Sequence, residues 1–119
     1  MIEVVPILRV RDARGSAAFY AHLGFAVEWE HQFEPGLPLF IAVRADDGGA
    51  RLVRSEHRGD ASPDTLVYVY VDDVDAVYGR LQQAGVVVHR PPEDMPWGVR
   101  ELSLADPDGN RLRIGTLLG

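Results

Sequence analysis

Two stretches of the chain repeat apolar and small residues with helical spacing. Ser16, Phe19, Tyr20 and Leu23 fall at i, i+3, i+4 and i+7, and Val74, Val77, Tyr78 and Leu81 do the same. That spacing predicts two amphipathic helices. Asp12 is placed to cap the first and Asp72 or Asp73 the second, while Gly24 and Gly85 follow as terminators. Elsewhere the pattern changes to that of strands. Leu39–Val43 and Arg51–Val53 flank Asp46-Asp47-Gly48-Gly49, a hairpin turn. Arg100–Ala105 and Asn110–Ile114 flank Asp106-Pro107-Asp108-Gly109, where proline sets φ and glycine relieves strain at the end of the turn. Residues 58–64, rich in Gly, Asp, Ser and Pro, read as a linker.

The two helical segments are copies of one unit. Val10-Arg11-Asp12 and Val71-Asp72-Asp73 open them, Gly24 and Gly85 close them, and each pair is offset by about 61 residues. The coarse order is βαβββ twice, an α+β fold of curved mixed sheets in a single domain, 1–119, with repeats at about 1–57 and 63–119. One helix can cover only one face of its sheet, so the other face is left for a sister unit, a partner chain or a ligand. Strand parity then sorts the side chains. Leu8 and Val10, like Val67, Val69 and Val71, belong on the helix side; Val5, Ile7 and Arg9, with Leu66, Tyr68 and Tyr70, belong on the open face. Two tyrosines side by side on an open sheet carry hydroxyls that need partners.

Composition narrows the function. Hydrophobic residues are 46% and charged residues 25%, as in an ordinary globular domain. Cysteine is absent, which excludes disulfides, thiolate metal sites and a cysteine nucleophile. The net charge of -6 argues against nucleic acid as a partner, since such binding draws on excess positive charge. All twelve basic residues are arginine, which hints at a GC-rich, bacterial genome. The longest apolar run, Leu66–Val71, is far short of the roughly 20 residues of a membrane helix. The N-terminus lacks a secretory pattern, and the expected location is cytoplasmic.

Three stretches carry a family resemblance: Val5-Pro6-Ile7-Leu8-Arg9-Val10-Arg11-Asp12, Thr65-Leu66-Val67-Tyr68-Val69-Tyr70-Val71, and Pro96-Trp97-Gly98-Val99-Arg100-Glu101-Leu102. The last runs into Asp106-Pro107-Asp108-Gly109-Asn110. With the duplicated unit, they resemble the glyoxalase/bleomycin resistance/extradiol dioxygenase superfamily, the vicinal oxygen chelate fold, over essentially the whole chain. Within it, the chain is most similar to bleomycin resistance proteins, which bind their drug without modifying it.

The resemblance implies four inward positions at which metal-dependent members carry His, Gln or Glu. Here they fall on Val5, on Leu52 or Val53, on Leu66 and on Arg113. None is a usual metal ligand, and Arg113 would repel a cation. His22, His31, His57 and His89 are scattered over a helix, a strand end, the linker and a strand end, with no paired spacing. No nucleophile elbow, P-loop or dinucleotide fingerprint occurs. Glu28, Glu30, Glu34 and Asp94 read as a solvated acidic rim. The expectation is therefore a binding protein and no enzyme, with no cofactor and a metal arriving only inside a bound metallo-drug.

The resemblance also implies the ligand and its site. A cationic aromatic glycopeptide of the bleomycin type would lie in a groove at a homodimer interface. Its rings would stack on Trp29 and Phe33, the counterpart of an aromatic pair after the first helix, and on Trp97 of Pro96-Trp97-Gly98. Phe40, Tyr68, Tyr70, Gly98 and Arg113 complete the expected lining, and the acidic balance is expected to attract the cationic tail. Pro6 resembles a hinge at which the first strand, Met1 to Val5, is exchanged between partners. Two alternatives remain: a metal-free binder of another small molecule, and a metal-dependent lyase, isomerase or dioxygenase.

Overall fold

Both helices start as their caps require. The Asp12 carboxylate accepts from the Gly15 N–H (3.1 Å) at the head of α1 (Ala13–Ala21), and Asp73 accepts from Ala76 N–H (3.1 Å) at the head of α2 (Val74–Gln83). Of the two capping residues open in the sequence, Asp73 holds the second cap. The next backbone donor is also matched across the duplication. Ala13 N–H donates to Glu56 (2.8 Å), and Val74 N–H donates to the Thr116 hydroxyl (2.8 Å). The computed structural model describes residues 2–60 and 64–119. Residues 61–63 of the expected linker, and Met1 of the expected exchanged strand, lie outside the described residues.

Each half forms a four-stranded mixed sheet. In the first, β1 (Ile7–Arg9), β4 (Arg51–Ser55), β3 (Leu39–Ala45) and β2 (Phe25–Gln32) lie side by side in that order. In the second, the order is β5 (Leu66–Tyr70), β8 (Arg111–Leu117), β7 (Val99–Ala105) and β6 (Arg90–Met95). Among the described residues, β1 pairs with β4 and β5 with β8 in parallel, and the other pairs are antiparallel. This is the α+β glyoxalase/bleomycin resistance fold.

The helices cover one face of each sheet. Leu8, Ile41, Leu52, Leu102, Leu104, Leu112 and Ile114 are buried there with Tyr20 and Leu81. Val67, Val69 and Val71 pack on the same core, as strand parity requires. Of the two residues left open on the fourth strand, Leu52 points into this core, so the open-face residue is Val53. Beyond α2, Val86 and Val88 pack against the core as coil, and the strand begins at Arg90, next to His89. The strand that follows contains Pro91 and Pro92, tolerated because β6 is a sheet edge.

The Asp106-Pro107-Asp108-Gly109-Asn110 turn fastens the halves together. The buried Asp106 carboxylate accepts from the N–H groups of Asp108 and Asn110 (both 2.9 Å), from the Asn110 side chain (3.0 Å) and from the Tyr20 hydroxyl (3.0 Å). Asn110 also donates to the Arg9 carbonyl (3.1 Å), and Arg11 donates to Asp108 and to the Pro107 carbonyl. The Arg54 guanidinium lies 3.7 Å over the Tyr20 ring. Burial and the Asp106 charge push the Tyr20 hydroxyl well above the usual tyrosine range, with Arg54 pulling the other way. The turn that contributes to the family resemblance is thus a structural clamp between the halves.

Candidate functional site

The chemistry lies on the open face of the second sheet. Along β7 the side chains alternate: Arg100, Leu102 and Leu104 take the helix side, while Glu101 and Ser103 take the open side. Arg100 confirms this parity, since it reaches Asp75 of α2 (3.0 and 3.2 Å) and Asp94 (3.0 Å). On β5, Leu66, Tyr68 and Tyr70 share the open face, and on β8 Arg111, Arg113, Gly115 and Leu117 do.

Glu101 is the organising residue, and it is only 4% exposed. One of its oxygens accepts from the Tyr68 hydroxyl (3.1 Å) and from the Trp97 indole N–H (3.0 Å). Burial, then the hydrogen bond and charge of Glu101, push the Tyr68 hydroxyl up to about 12, against an opposing pull from Arg113. Tyr68 therefore stays a proton donor at any physiological pH. Gly115 lies opposite Glu101 and makes room for this group. A Cβ there would run into the Tyr68 hydroxyl and the Val99 side chain.

Trp97 is lifted off the sheet by the β6–β7 turn. Gly98 donates to the Met95 carbonyl (3.1 Å) with φ +83°, a conformation that favours glycine. The indole is 62% exposed yet tethered through its N–H, so an apolar ring face is held ready for a flat partner. Beneath it lies a pocket of about 230 Å³, lined among others by Leu66, Met95, Trp97, Glu101, Arg111 and Arg113.

Of the expected site residues, Trp97 and Arg113 line this pocket, and Tyr68 and Tyr70 stand beside it with rings 4.7 Å apart. Trp29, Phe33 and Phe40 belong to the other half. Trp29 is 42% exposed on the open face of the first sheet, opposite Ala42 and next to a register shift after Val27. It is therefore not a core residue. Phe33 packs edge-to-face on His31 (4.5 Å), and His31 lies opposite Phe40. No ring contact joins Trp29 to Phe33 among the described residues, so the expected stacking pair is not assembled within one chain. The same face carries an ion network in which Glu28 pairs with Arg44 and with Arg51 (3.2 Å), and Arg51 with Glu3 (2.6 Å). Hydrogen bonds from Arg51 and then Arg44 hold the Glu28 carboxyl below its usual range.

The positions corresponding to metal ligands hold Val5, Val53, Leu66 and Arg113, three aliphatic side chains and a guanidinium. They offer no donor to Zn²⁺, Fe²⁺, Mn²⁺ or Ni²⁺ and do not fit a resident metal. The expected negative field also needs correction at this spot. The chain's charge is -6, but the pocket wall carries Arg90, Arg111 and Arg113 with Glu101. A net charge is a sum over the whole surface and does not describe one wall. Sequence reading missed Glu101 and Gly115. Glu101 shares its strand with Arg100 and Ser103 and does not stand out there by residue type.

Two βαβββ units with open concave faces and an aromatic rim define the class, and comparison with known proteins gives the family. The chain belongs to the glyoxalase superfamily, whose model matches residues 1–117. It is 31% identical over 121 residues to the uncharacterized protein YraH of Bacillus subtilis (strain 168), covering 93% of this chain and 94% of that one. Among solved structures, it is similar to TnmS3, an antibiotic-binding protein from Streptomyces sp. CB03234 (26% identity, TM-score 0.81, 98% and 97% of the two chains). It is also similar to a bleomycin-binding protein complexed with bleomycin (25% identity, TM-score 0.76, 98% of each chain).

Proposed function

We propose that this protein sequesters an aromatic, antibiotic-type small molecule without modifying it, in a groove that two copies of the chain complete. The observation that carries the reading is the Trp97 ring, exposed yet fixed by Glu101 at the rim of a pocket. Stacking on such a platform contributes about 1 kcal/mol per aromatic contact beyond area burial. The antibiotic-binding and bleomycin-binding structures similar to this chain support the ligand class.

Size supports the second copy. The pocket of about 230 Å³ is smaller than the roughly 300–1,000 Å³ of drug-sized sites. Trp29, Phe33 and Phe40 supply further aromatic surface on the other sheet, away from this pocket. A symmetric dimer that apposes the first sheet of one copy to the second sheet of another would join both aromatic sets twice over. Exposed Ile7, Trp29, Leu66 and Leu117 on the two open faces would be covered in the same contact.

The test is a titration with bleomycin and with the neutral polycycle 1-pyrenebutanol, followed through Trp97 and Trp29 fluorescence, with the ligand recovered for mass analysis. Saturable binding of either tighter than about 100 μM, roughly 5.5 kcal/mol, with unchanged ligand mass, supports sequestration. Weaker binding of both, or a chemically altered ligand, overturns it.

A further inference from the structure

The open face of the second sheet carries a row of polar side chains among its apolar ones. At the Trp97 end stand Tyr68, Tyr70 and Glu101, the last opposite Gly115. Two and four residues back along β8 come Arg113 and Arg111, about 7 and 13 Å away at strand rise. Arg113 faces Ser103 on one side and Tyr68 on the other; Arg111 faces Ala105 and Leu66. Arg90 enters from β6, where it too lies opposite Ser103.

Glu93 pairs with Arg90 (3.9 Å), and one Glu101 oxygen is already taken by two donors, which leaves Arg111 and Arg113 without an acidic partner among the described residues. The side chains of Arg111 and Arg113 make no salt bridge among the described residues. Arg11, Arg44, Arg51 and Arg100, by contrast, are each held by a carboxylate. Two unpaired guanidiniums lining one cavity beside an aromatic platform form a two-part recognition surface. Guanidinium forks match a carboxylate in geometry as well as charge. The opposing charge of -6 acts mainly from beyond a Debye length of about 8 Å and is screened, whereas a contact pair is not.

We infer that Arg111 and Arg113 form an anion subsite, so that the ligand class is an aromatic carboxylate with its rings on Trp97 and its acid group about 7–13 Å away. This rests on the aromatic-binding reading above and adds the charge of the ligand to it. It departs from a cationic ligand tail at this wall.

Three probes of one shape test it: 1-pyrenebutyrate, 1-pyrenebutanol and 1-pyrenebutylamine, titrated by fluorescence into the wild type, Trp97→Ala and the double variant Arg111→Gln/Arg113→Gln. Circular dichroism and sedimentation check that each variant keeps its fold and assembly. The butyrate should bind the wild type at least tenfold tighter than the alcohol, and the amine weakest. In the double variant the advantage of the butyrate over the alcohol should vanish. If the alcohol binds through Trp97 but the butyrate has no advantage, or keeps it in the double variant, the anion subsite is overturned and aromatic binding stands. A double variant that loses its dimer would assign the arginines to the contact between copies and also overturn the subsite. If none of the three binds, the subsite is overturned, and the aromatic-binding reading fails with it when bleomycin does not bind either.

Discussion

Glu101 is a nearly buried carboxylate in mid-strand, where an unpaired ion would cost several kcal/mol. Two neutral donors offset that cost, and by doing so they fix the Trp97 and Tyr68 rings. Trp97→Ala should therefore weaken binding by about 2–4 kcal/mol in calorimetry, with a smaller loss of stability, because the ring is mostly exposed but its N–H is one of the two donors to Glu101. Gly115→Ala should act oppositely at first, on the fold. It pushes on Tyr68 and Val99, and should cost about 1–3 kcal/mol of stability in urea, together with a loss of ligand affinity. Tyr68 also gives a pH signature. The folded protein holds its proton up to about 12, while the unfolded chain releases it near 10.0. The unfolded state then binds fewer protons, so stability is lost as pH rises through that window. Urea midpoints between pH 9 and 11.5 should decline less steeply in Tyr68→Phe than in the wild type. Trp97, Tyr68 and Tyr70 were legible in the sequence, from a loop motif and from strand parity. Glu101 was not, because a carboxylate in an alternating strand reads as solvent-facing until its two donors are in view.

At the level of elements, the duplication made most of the fold readable. Caps at Asp12 and Asp73, terminators at Gly24 and Gly85, and both glycine-containing hairpins stand where the pattern put them. The segment after α2 was not readable. Val86–Val88 has strand composition, but Val86 and Val88 pack on the core as coil with Val87 exposed, and the strand starts at the proline-containing stretch beyond. Tertiary packing overrides local propensity there. The Asp106 turn shows a different limit: its motif identifies the family, yet its role emerges only when Tyr20, Arg9 and Arg11 from the other half arrive. Asp106→Ala strips partners from the buried Tyr20 hydroxyl and Asn110 and leaves the Arg54 charge uncompensated. It should cost about 3–5 kcal/mol of stability by chemical denaturation.

For the whole molecule, assembly and charge both bear on the ligand. Apolar side chains exposed on two open faces lead us to expect a dimer, and sedimentation should give twice the 13.1 kDa chain mass at micromolar concentration. A stable species of single-chain mass would contradict it. Net charge was legible at once, but the placement of Arg90, Arg111 and Arg113 around one cavity was not, since they come from two strands brought together by the sheet. The central claim is that Trp97 presents an aromatic-binding face that performs no chemistry. It is tested most directly by titrating the wild type and Trp97→Ala with 1-pyrenebutanol and recovering the ligand for mass analysis. The account predicts a wild-type Kd below about 100 μM, an affinity at least about 30-fold weaker in the variant, and a ligand of unchanged mass. Equal affinity in the two proteins, or a ligand returned altered, would contradict it.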